Sequence, residues 1–274
     1  MAQFTLVTVP IGNMEDITER AKNKLIEGKI ILSEDTRKLK VLLQNLGIEY
    51  KDKAIFAFHD HSSEREIEKS LQFLENGEDL ILVSDAGSPV ISDPGHKMTK
   101  ALLAHGYDVA IAPGVSSVTA ALELSALPPI PFQFHGFFPR DNKKRETLIK
   151  KIESHKGTHI FFESPKRVLE TLGKLGPLMP EFSFAVCREM TKTYESVYRF
   201  LGKEFNAQKD SIVEKGEFVI LIHNGFDEKP IKNLKAIELA KDYLEGKKST
   251  KKLSKILAEL LDADSKEVYK KLID

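Results

Sequence analysis

The sequence has a single cysteine, Cys187, and no tryptophan. One cysteine cannot form an internal disulfide and cannot build a cysteine-rich zinc site. The sequence also has no excess of positive or negative charge, because Lys plus Arg (41) equals Asp plus Glu (41). This balance argues against a uniformly basic nucleic-acid binder and leaves room for a local basic face.

Long apolar runs are absent as well. No segment approaches the ~20 apolar residues of a membrane-spanning helix. The chain starts Met1-Ala2-Gln3 and passes directly into a strand-like run, without the pattern of a secretory signal. We therefore expect a cytoplasmic protein with no membrane association.

Short apolar runs alternate with segments of helical spacing through the first half of the chain. The runs lie at residues 4–9, 29–33, 54–58, 79–83 and 108–112. This alternation predicts an α/β fold with a mostly parallel sheet and helices on both faces. The second half has runs at 132–136, 159–163, 182–188, 195–200 and 218–223. We expect the last two to pair antiparallel at a sheet edge, so that this sheet is mixed.

Breaks in composition suggest an organisation into three parts. Pro113-Gly114 ends the first series of strands, and beyond Lys229-Pro230 the chain is rich in Lys, Leu, Ala and Glu with helical spacing. We predict an N-terminal α/β domain over residues 1–113, a C-terminal mixed α/β domain over 114–228 and a helical extension over 229–274. Within the extension, helices are predicted at about 234–244, 249–261 and 265–272.

The most informative segment is SDAGSPVISDPG at residues 84–95. It follows a buried strand-like run, and in open α/β sheets ligands bind beyond the carboxyl ends of the strands. Its glycines and prolines force irregular backbone, and its serines add small hydroxyls. We expect main-chain groups in this loop that neither sheet nor helix pairs, and that can face a ligand.

Charged turns follow other strand-like runs, at residues 34–37, 163–167 and 187–192. Asp35 or Ser33 could simply cap the next helix with Arg37 solvated, and the alternative is polar contact with a substrate. Because such turns occur in both halves, the halves could face each other across a polar cleft. Cys187 is expected to pack as a small apolar residue rather than to act as a nucleophile.

Three further features have an ordinary structural interpretation beside a functional one. His59 and His61 would share a face of an extended chain, but no third ligand has a matching spacing and a metal site is not expected. Basic runs at residues 140–156 and 247–252 are typical of solvated faces, and the alternative is contact with RNA phosphates. The turn at residues 10–13 lacks the glycine spacing and the lysine of a nucleotide-phosphate loop.

Together these segments resemble the tetrapyrrole-methylase superfamily and, within it, the ribosomal RNA small-subunit methyltransferase I branch. The terminal helices are similar to the small helical extension of that branch. SDAGSPVISDPG combined with ESPKR and REMTKTYE is far more specific than any one segment. The matching segments, between residues 4 and 223, are VPIGNMEDIT, SEDTR, SDAGSPVISDPG, PGVSSVTAAL, HGFFPR, FFESPKRV, REMTKTYE and KGEFVILI.

The resemblance implies two α/β domains with S-adenosylmethionine folded into the cleft between them, and a homodimer. It implies transfer of a methyl group to the ribose 2′-hydroxyl of a decoding-region cytidine in small-subunit (16S) rRNA, free or within the 30S subunit. It places the cofactor contacts on Pro10, Ser88, Pro89, Val90, Ile91, Ser116, Ser117, Phe162, Cys187, Gly216 and Glu217.

The chemistry needs a base, because a ribose hydroxyl is a poor nucleophile until its proton leaves. We hypothesise that Glu189 or Glu34 assists deprotonation. Lys192, together with Arg37 and Arg188, would hold phosphate or stabilise the developing oxyanion. The predicted substrate contacts are Arg37, His59, Arg140, Lys166, Arg167 and Arg188.

Two other functions fit the same pattern. One is methylation of a tetrapyrrole or another small metabolite, which a closed apolar cleft would favour. The other is a non-catalytic rRNA-binding or assembly protein that retains the fold. The basic runs and the helical extension favour RNA over a macrocycle.

Overall fold

The computed structural model describes residues 2–59, 62, 64–225, 249–261 and 264–273. The chain divides into two compact units, Met1–Gly225 and Phe226–Asp274. The first unit contains two five-stranded sheets. The predicted domain boundaries at residues 113 and 228 stay predictions, and the helix predicted at 234–244 lies outside the described residues.

The first sheet is parallel throughout and has the strand order β3-β2-β4-β1-β5. Every residue of the three central strands is buried, as in parallel sheets that are covered on both faces. The strands are β1 (Phe4–Val7), β2 (Ile30–Ser33), β3 (Ala54–Ala57), β4 (Leu80–Val83) and β5 (Val109–Ala112).

Helices cover both faces of this sheet, which confirms the predicted layer order. Leu71 and Leu102 belong to the core on one face, and Leu25 and Leu43 to the core on the other. The helices are α1 (Glu19–Glu27), α2 (Thr36–Asn45), α3 (Glu64–Glu75) and α4 (Gly95–Ala104). Their apolar spacing decides which side of each helix faces the sheet.

The second sheet is mixed and has the order β6-β7-β10-β8-β9. Only the β6–β7 pair is parallel, and the others are antiparallel. The predicted pairing of the last two strands is wrong, because β10 lies between β7 and β8. Its run of apolar residues is buried along almost its whole length, which an edge position would not allow. The strands are β6 (Phe132–Phe137), β7 (Gly157–Glu163), β8 (Ser183–Arg188), β9 (Ser196–Leu201) and β10 (Phe218–Asn224).

Helices also cover both faces of the second sheet: α5 (Ser117–Ser125), α6 (Asn142–Ser154), α7 (Val168–Leu178) and the short α8 (Phe205–Gln208). The basic run at residues 140–156 is mostly α6, whose Leu148 and Ile152 are buried while its lysines are exposed. The Asp141 side chain caps α6 by accepting a hydrogen bond of 2.9 Å from the Lys144 N–H.

The second unit contains α9 (Thr250–Leu261) and α10 (Ser265–Ile273), near the predicted positions. Ile256 and Ala258 of α9 are buried. Within the described ranges, no helix is both long enough and apolar enough to cross a membrane.

Candidate functional site

A cavity of about 400 Å³ lies in the first unit, among loops that follow strands of both sheets. This volume is in the range of small-molecule sites. The loop after β4 forms one wall, the N-terminal end of α5 a second, and the end of β7 with the start of β10 a third. Phe162, Met190 and Val219 supply apolar surface, and Ser88, Ser116 and Ser117 supply hydroxyls.

The loop after β4 is braced against the segment that follows β1. Gly87 and Val9 exchange main-chain hydrogen bonds of 3.0 and 3.1 Å, and the Ser84 hydroxyl donates to the Gly87 carbonyl at 3.0 Å. The Pro89 carbonyl accepts from the Gly95 N–H at 2.8 Å. The expectation of unpaired main-chain groups is therefore wrong at Gly87 and Pro89, because the loop uses those groups to hold its own shape.

Asp85 of this loop ties the cavity to the charged turn after β2. Its Oδ1 accepts from the Asp35 N–H at 3.0 Å, and its Oδ2 lies 2.7 Å from Lys38 Nζ. The hydrogen bond to Asp85 raises the pKa of Lys38. Asp35 itself caps α2 and pairs with Arg37, whose side chain is 89% exposed. The hydrogen bonds from Arg37 lower the pKa of Asp35 well below its usual range.

Glu163 is a fully buried carboxylate at the cavity wall. Its Oε1 accepts from the Ser164 N–H at 2.7 Å and from Arg167 Nη2 at 2.5 Å, while Oε2 accepts from the Thr171 hydroxyl at 2.7 Å. Arg167 Nη2 also donates to the Phe138 carbonyl at 2.9 Å. This network shapes the turn after β7, whose Ser164 lines the cavity.

Glu189, Lys192 and Glu217 form an ion-pair network beside the cavity. Lys192 Nζ lies 3.0 Å from Glu189 Oε1 and 3.1 Å from Glu217 Oε2. Glu189 Oε1 also accepts from the Glu217 N–H at 2.9 Å. Burial disfavours the Glu189 carboxylate, but the hydrogen bonds from Lys192 and Glu217 outweigh it, so its pKa is lowered. Burial likewise opposes the Lys192 charge, and the hydrogen bonds to Glu189 and Glu217 outweigh it, so the pKa of Lys192 is raised.

The turn that carries this network is strained. Glu189 and Thr191 have φ values of 49° and 66°, in the left-handed region that non-glycine residues seldom adopt. Gly216, with φ 93°, lies against Glu189, and a side chain at that position would overlap the Glu189 carboxylate. Such strain persists only where surrounding contacts impose it, and it is common at functional sites.

Most of the residues predicted to bind the cofactor line the cavity: Ser88, Ile91, Ser116, Ser117, Phe162, Gly216 and Glu217. Pro10, Pro89, Val90 and Cys187 are outside its lining. Cys187 is wholly buried, and burial raises the pKa of its thiol to about 12. This bears out the expectation that Cys187 packs as a small apolar residue.

The predicted catalytic and substrate residues are placed in three different ways. Glu189 and Lys192 adjoin the cavity through Glu217. Two arginines are occupied within the protein, since Arg167 pairs with Glu163 and Arg188 donates to the Lys215 and Tyr194 carbonyls at 2.6 and 3.0 Å. Glu34, Arg37, Arg140 and Lys166 are exposed outside the cavity lining, and His59 is half-buried there.

Several residues that line the cavity were not predicted as site residues. Asp85 and Asp93 lie in the SDAGSPVISDPG loop, and Glu163 begins the ESPKR turn. Their position next to predicted residues is the signal that could have found them. Met190 follows the predicted Glu189 in the same way, and Phe137 lies in the HGFFPR segment before the predicted Arg140, but only the folded chain shows that both side chains line the cavity. His61 lies outside the described residues, and the described ranges contain no cluster of three or more His, Cys, Asp or Glu that could hold a metal ion.

Several solved structures share this fold at low sequence identity. The methyltransferase CobJ has a TM-score of 0.60 at 18% identity, covering 82% of this chain and 95% of that chain. Diphthine synthase has a TM-score of 0.61 at 15% identity, covering 81% and 90%. Uroporphyrin-III C-methyl transferase from Thermus thermophilus, complexed with S-adenyl homocysteine, has a TM-score of 0.55 at 16% identity, covering 81% and 98%.

Sequence comparison is more specific. Residues 3–206 match the tetrapyrrole (corrin/porphyrin) methylases. The chain is 34% identical over 274 residues to the ribosomal RNA small subunit methyltransferase I of Escherichia coli O157:H7, covering 98% of this chain and 93% of that protein. It is 36% identical over 222 residues to the protein of the same name from Thermotoga maritima, covering 81% and 98%. The chain therefore belongs to the tetrapyrrole methylase family, in its ribosomal RNA small subunit methyltransferase I branch.

Proposed function

We propose that this protein transfers a methyl group from S-adenosylmethionine to the ribose 2′-hydroxyl of a decoding-region cytidine in small-subunit rRNA. The observation that carries the proposal is the cavity, because most of the residues that the family resemblance assigns to the cofactor line it, although they come from distant parts of the sequence. The name of the relatives supports rRNA as the substrate. The cytidine and the 2′-hydroxyl rest on the resemblance alone.

The cavity suits this cofactor chemically. An adenine ring and a sulfonium centre need apolar walls and a few hydrogen-bonding groups rather than strong charges. Phe162, Ile91 and Val219 supply such walls, and Ser88, Ser116 and Ser117 would supply hydroxyls. When bound, the cofactor supplies an activated methyl group for in-line attack by the ribose oxygen.

The residues of this chain must then place the hydroxyl and remove its proton. Glu189 is the favoured base, because it adjoins Met190 and Glu217 at the cavity, whereas Glu34 is exposed outside the lining. The lowered pKa of Glu189 keeps its carboxylate ionised at neutral pH. Lys192, bridging Glu189 and Glu217, places a positive charge near the oxygen as the proton leaves.

The RNA backbone would bind to cations around the cavity. Arg37, Arg140 and Lys166 are exposed and can neutralise phosphates. His59, Arg167 and Arg188 complete the predicted set of substrate contacts. Arg167 and Arg188 would act indirectly, by holding the shape of the turns to which they are hydrogen-bonded. We also expect a homodimer, and the exposed Ile130 (85%) offers apolar surface for it. Sedimentation analysis tests the dimer separately.

The deciding experiment combines genetics and biochemistry. Deleting the gene from its host should remove a 2′-O-methyl group from small-subunit rRNA, and the purified protein with S-adenosylmethionine should restore it on subunits from that strain. An unchanged methylation map would contradict the proposal. Methylation of a tetrapyrrole instead, or cofactor binding without any methyl transfer to rRNA, would select one of the two alternative functions.

The base is tested by Glu189→Gln, with Glu34→Gln as the matched variant. We expect Glu189→Gln to lower kcat by about 100-fold, the size of a general-base contribution, and Glu34→Gln to have little effect. Affinity for S-adenosylhomocysteine, measured in parallel, shows whether the cofactor site is intact. Wild-type turnover by both variants would remove both residues from the chemistry.

A further inference from the structure

Phe137 is a large aromatic residue that lines the cavity and yet is 60% exposed. Its ring lies edge-on to Phe162, with the ring centroids 5.4 Å apart and the planes at 72°. Phe162 is a half-buried part of the apolar wall. Phe137 therefore stands at the rim, with one side supported by protein and another open to solvent.

A β-bulge sets this position. Phe134 pairs with Ile160 and Phe137 with Phe162, so three steps along β6 match two steps along β7. Gly136, at φ 69°, supplies the left-handed residue that such an irregularity uses. The extra residue places Phe137 on the same face of β6 as Phe134. The ring centroid of Phe134 lies 4.9 Å from that of Phe162.

The same bulge buries the neighbouring ring. Phe138 is only 2% exposed and packs against Phe161, with ring centroids 5.1 Å apart. The Phe138 N–H donates a hydrogen bond of 2.9 Å to the Phe162 carbonyl, which keeps the chain paired with β7 after the bulge. Without the extra residue the alternation of side chains would shift by one, and Phe137 would face the core.

We propose that Phe137 is the stacking platform for the base of the nucleotide whose ribose is methylated, an inference that rests on the proposed function. The methyl donor lies in a cavity, and a nucleotide that leaves its stack can bring its ribose hydroxyl into such a cavity. Proteins replace the lost stacking with an exposed aromatic ring. Phe137 is the most exposed of the aromatic residues that line the cavity within the described residues.

The surroundings favour an RNA base over the adenine of the cofactor. The chain continues from Phe137 directly to the exposed cations Arg140, Lys143 and Lys144. S-adenosylmethionine carries no phosphate that such cations could bind, whereas the nucleotides flanking the acceptor do. An aromatic ring interleaved with cations is the pattern of single-strand recognition.

Steady-state kinetics with undermethylated small subunits test the inference. We expect Phe137→Ala to lower kcat/KM for the subunits about 10-fold or more, while the Kd for S-adenosylhomocysteine changes less than about two-fold. Phe137→Tyr should retain activity and Phe137→Leu should not, because stacking needs an aromatic ring. Phe132→Ala is the matched control on the same strand, exposed and outside the cavity lining, and should behave like wild type.

Because the protein has no tryptophan, the fluorescence of one introduced tryptophan can report stacking directly. Phe137→Trp gives a protein with one tryptophan, and a short single-stranded oligocytidylate should quench its emission, whereas emission from Phe132→Trp should not change. Full quenching by S-adenosylhomocysteine alone would overturn the inference by assigning Phe137 to the cofactor. Equal kinetics of Phe137→Ala and Phe132→Ala would also overturn it. Quenching in a protein that methylates no rRNA would refute the proposed function and leave the stacking site standing.

Discussion

The main-chain N–H of Asn13 donates a hydrogen bond of 3.2 Å to Oγ1 of Thr191. Asn13 follows β1 of the first sheet, and Thr191 belongs to the strained turn after β8 of the second. The turn that carries Glu189 and Lys192 is therefore supported from both sheets. Gly12 makes this approach possible, because a side chain there would overlap that of Lys192.

Gly12→Ala should impair catalysis more than folding. The added methyl group displaces Lys192 and so disturbs its ion pairs with Glu189 and Glu217. We expect kcat to fall about 10- to 100-fold, the usual cost of a misplaced catalytic group. Gly173→Ala is the control, since its methyl group would meet Phe205 at an ordinary 3.5 Å. Equal activity of the two variants would show that the contact with Lys192 has no catalytic role.

Glu163→Gln should destabilise the protein. The substitution leaves Arg167 without its buried counter-charge and weakens the hydrogen bonds from Ser164 and Thr171. Breaking a buried pair in this way costs about 3 kcal/mol. Denaturant unfolding measures the change. Glu170→Gln, which breaks the exposed pair with Lys174, should leave the free energy of unfolding nearly unchanged. A similar loss in both variants would contradict the assigned role of burial.

Cys187 should resist alkylation in the folded protein. Its thiol is wholly buried, and burial raises its pKa to about 12, so almost no thiolate exists at neutral pH. Iodoacetamide should modify it only after unfolding, and with one cysteine mass spectrometry reads the result directly. Cys187→Ala should keep methyl transfer and lose about 1 kcal/mol of stability. Rapid native labelling would show that the thiol is open to ligands.

Acid should weaken the second sheet through a pair of histidines. His159 Nε2 lies 2.9 Å from the His155 carbonyl and carries the hydrogen, so His159 Nδ1 accepts from His135 Nε2 at 3.0 Å. Burial, together with the nearby His159 and Lys151, lowers the pKa of His135 to about 4. The unfolded chain therefore binds more protons than the folded one between about pH 6.5 and pH 4.

Stability should accordingly be complete above about pH 6.5 and fall as the pH drops toward 4. His135→Gln keeps a donor for His159 without titrating, so its loss of stability over this window should be shallower than that of the wild type. His96→Gln, at an exposed position, should follow the wild-type curve. Denaturant unfolding at a series of pH values measures both. Parallel curves for His135→Gln and wild type would contradict the assignment.

The local pattern of the sequence was sufficient for most elements of the fold. Strand β4 at Leu80–Val83 lies within the run predicted at residues 79–83, and the predicted loop follows it as far as the start of α4 at Gly95, because the spacing of strands and helices depends on neighbouring residues. Helices α6 and α7 were not predicted as helices. In α6 the lysines obscure a sparse apolar stripe, of which only Leu148 and Ile152 become buried.

The sequence by itself determined the alternation of strands and helices, the position of the loop that lines the cavity and the membership of the family, since each depends on short segments that can be recognised one by one along the chain. Tertiary structure alone decided that β10 lies in the centre of the second sheet, that Glu163 forms an ion pair with Arg167, and that the bulge at Gly136 turns Phe137 to the cavity. These outcomes depend on which distant surfaces bury each other, and burial energy is a property of the assembled core rather than of any segment.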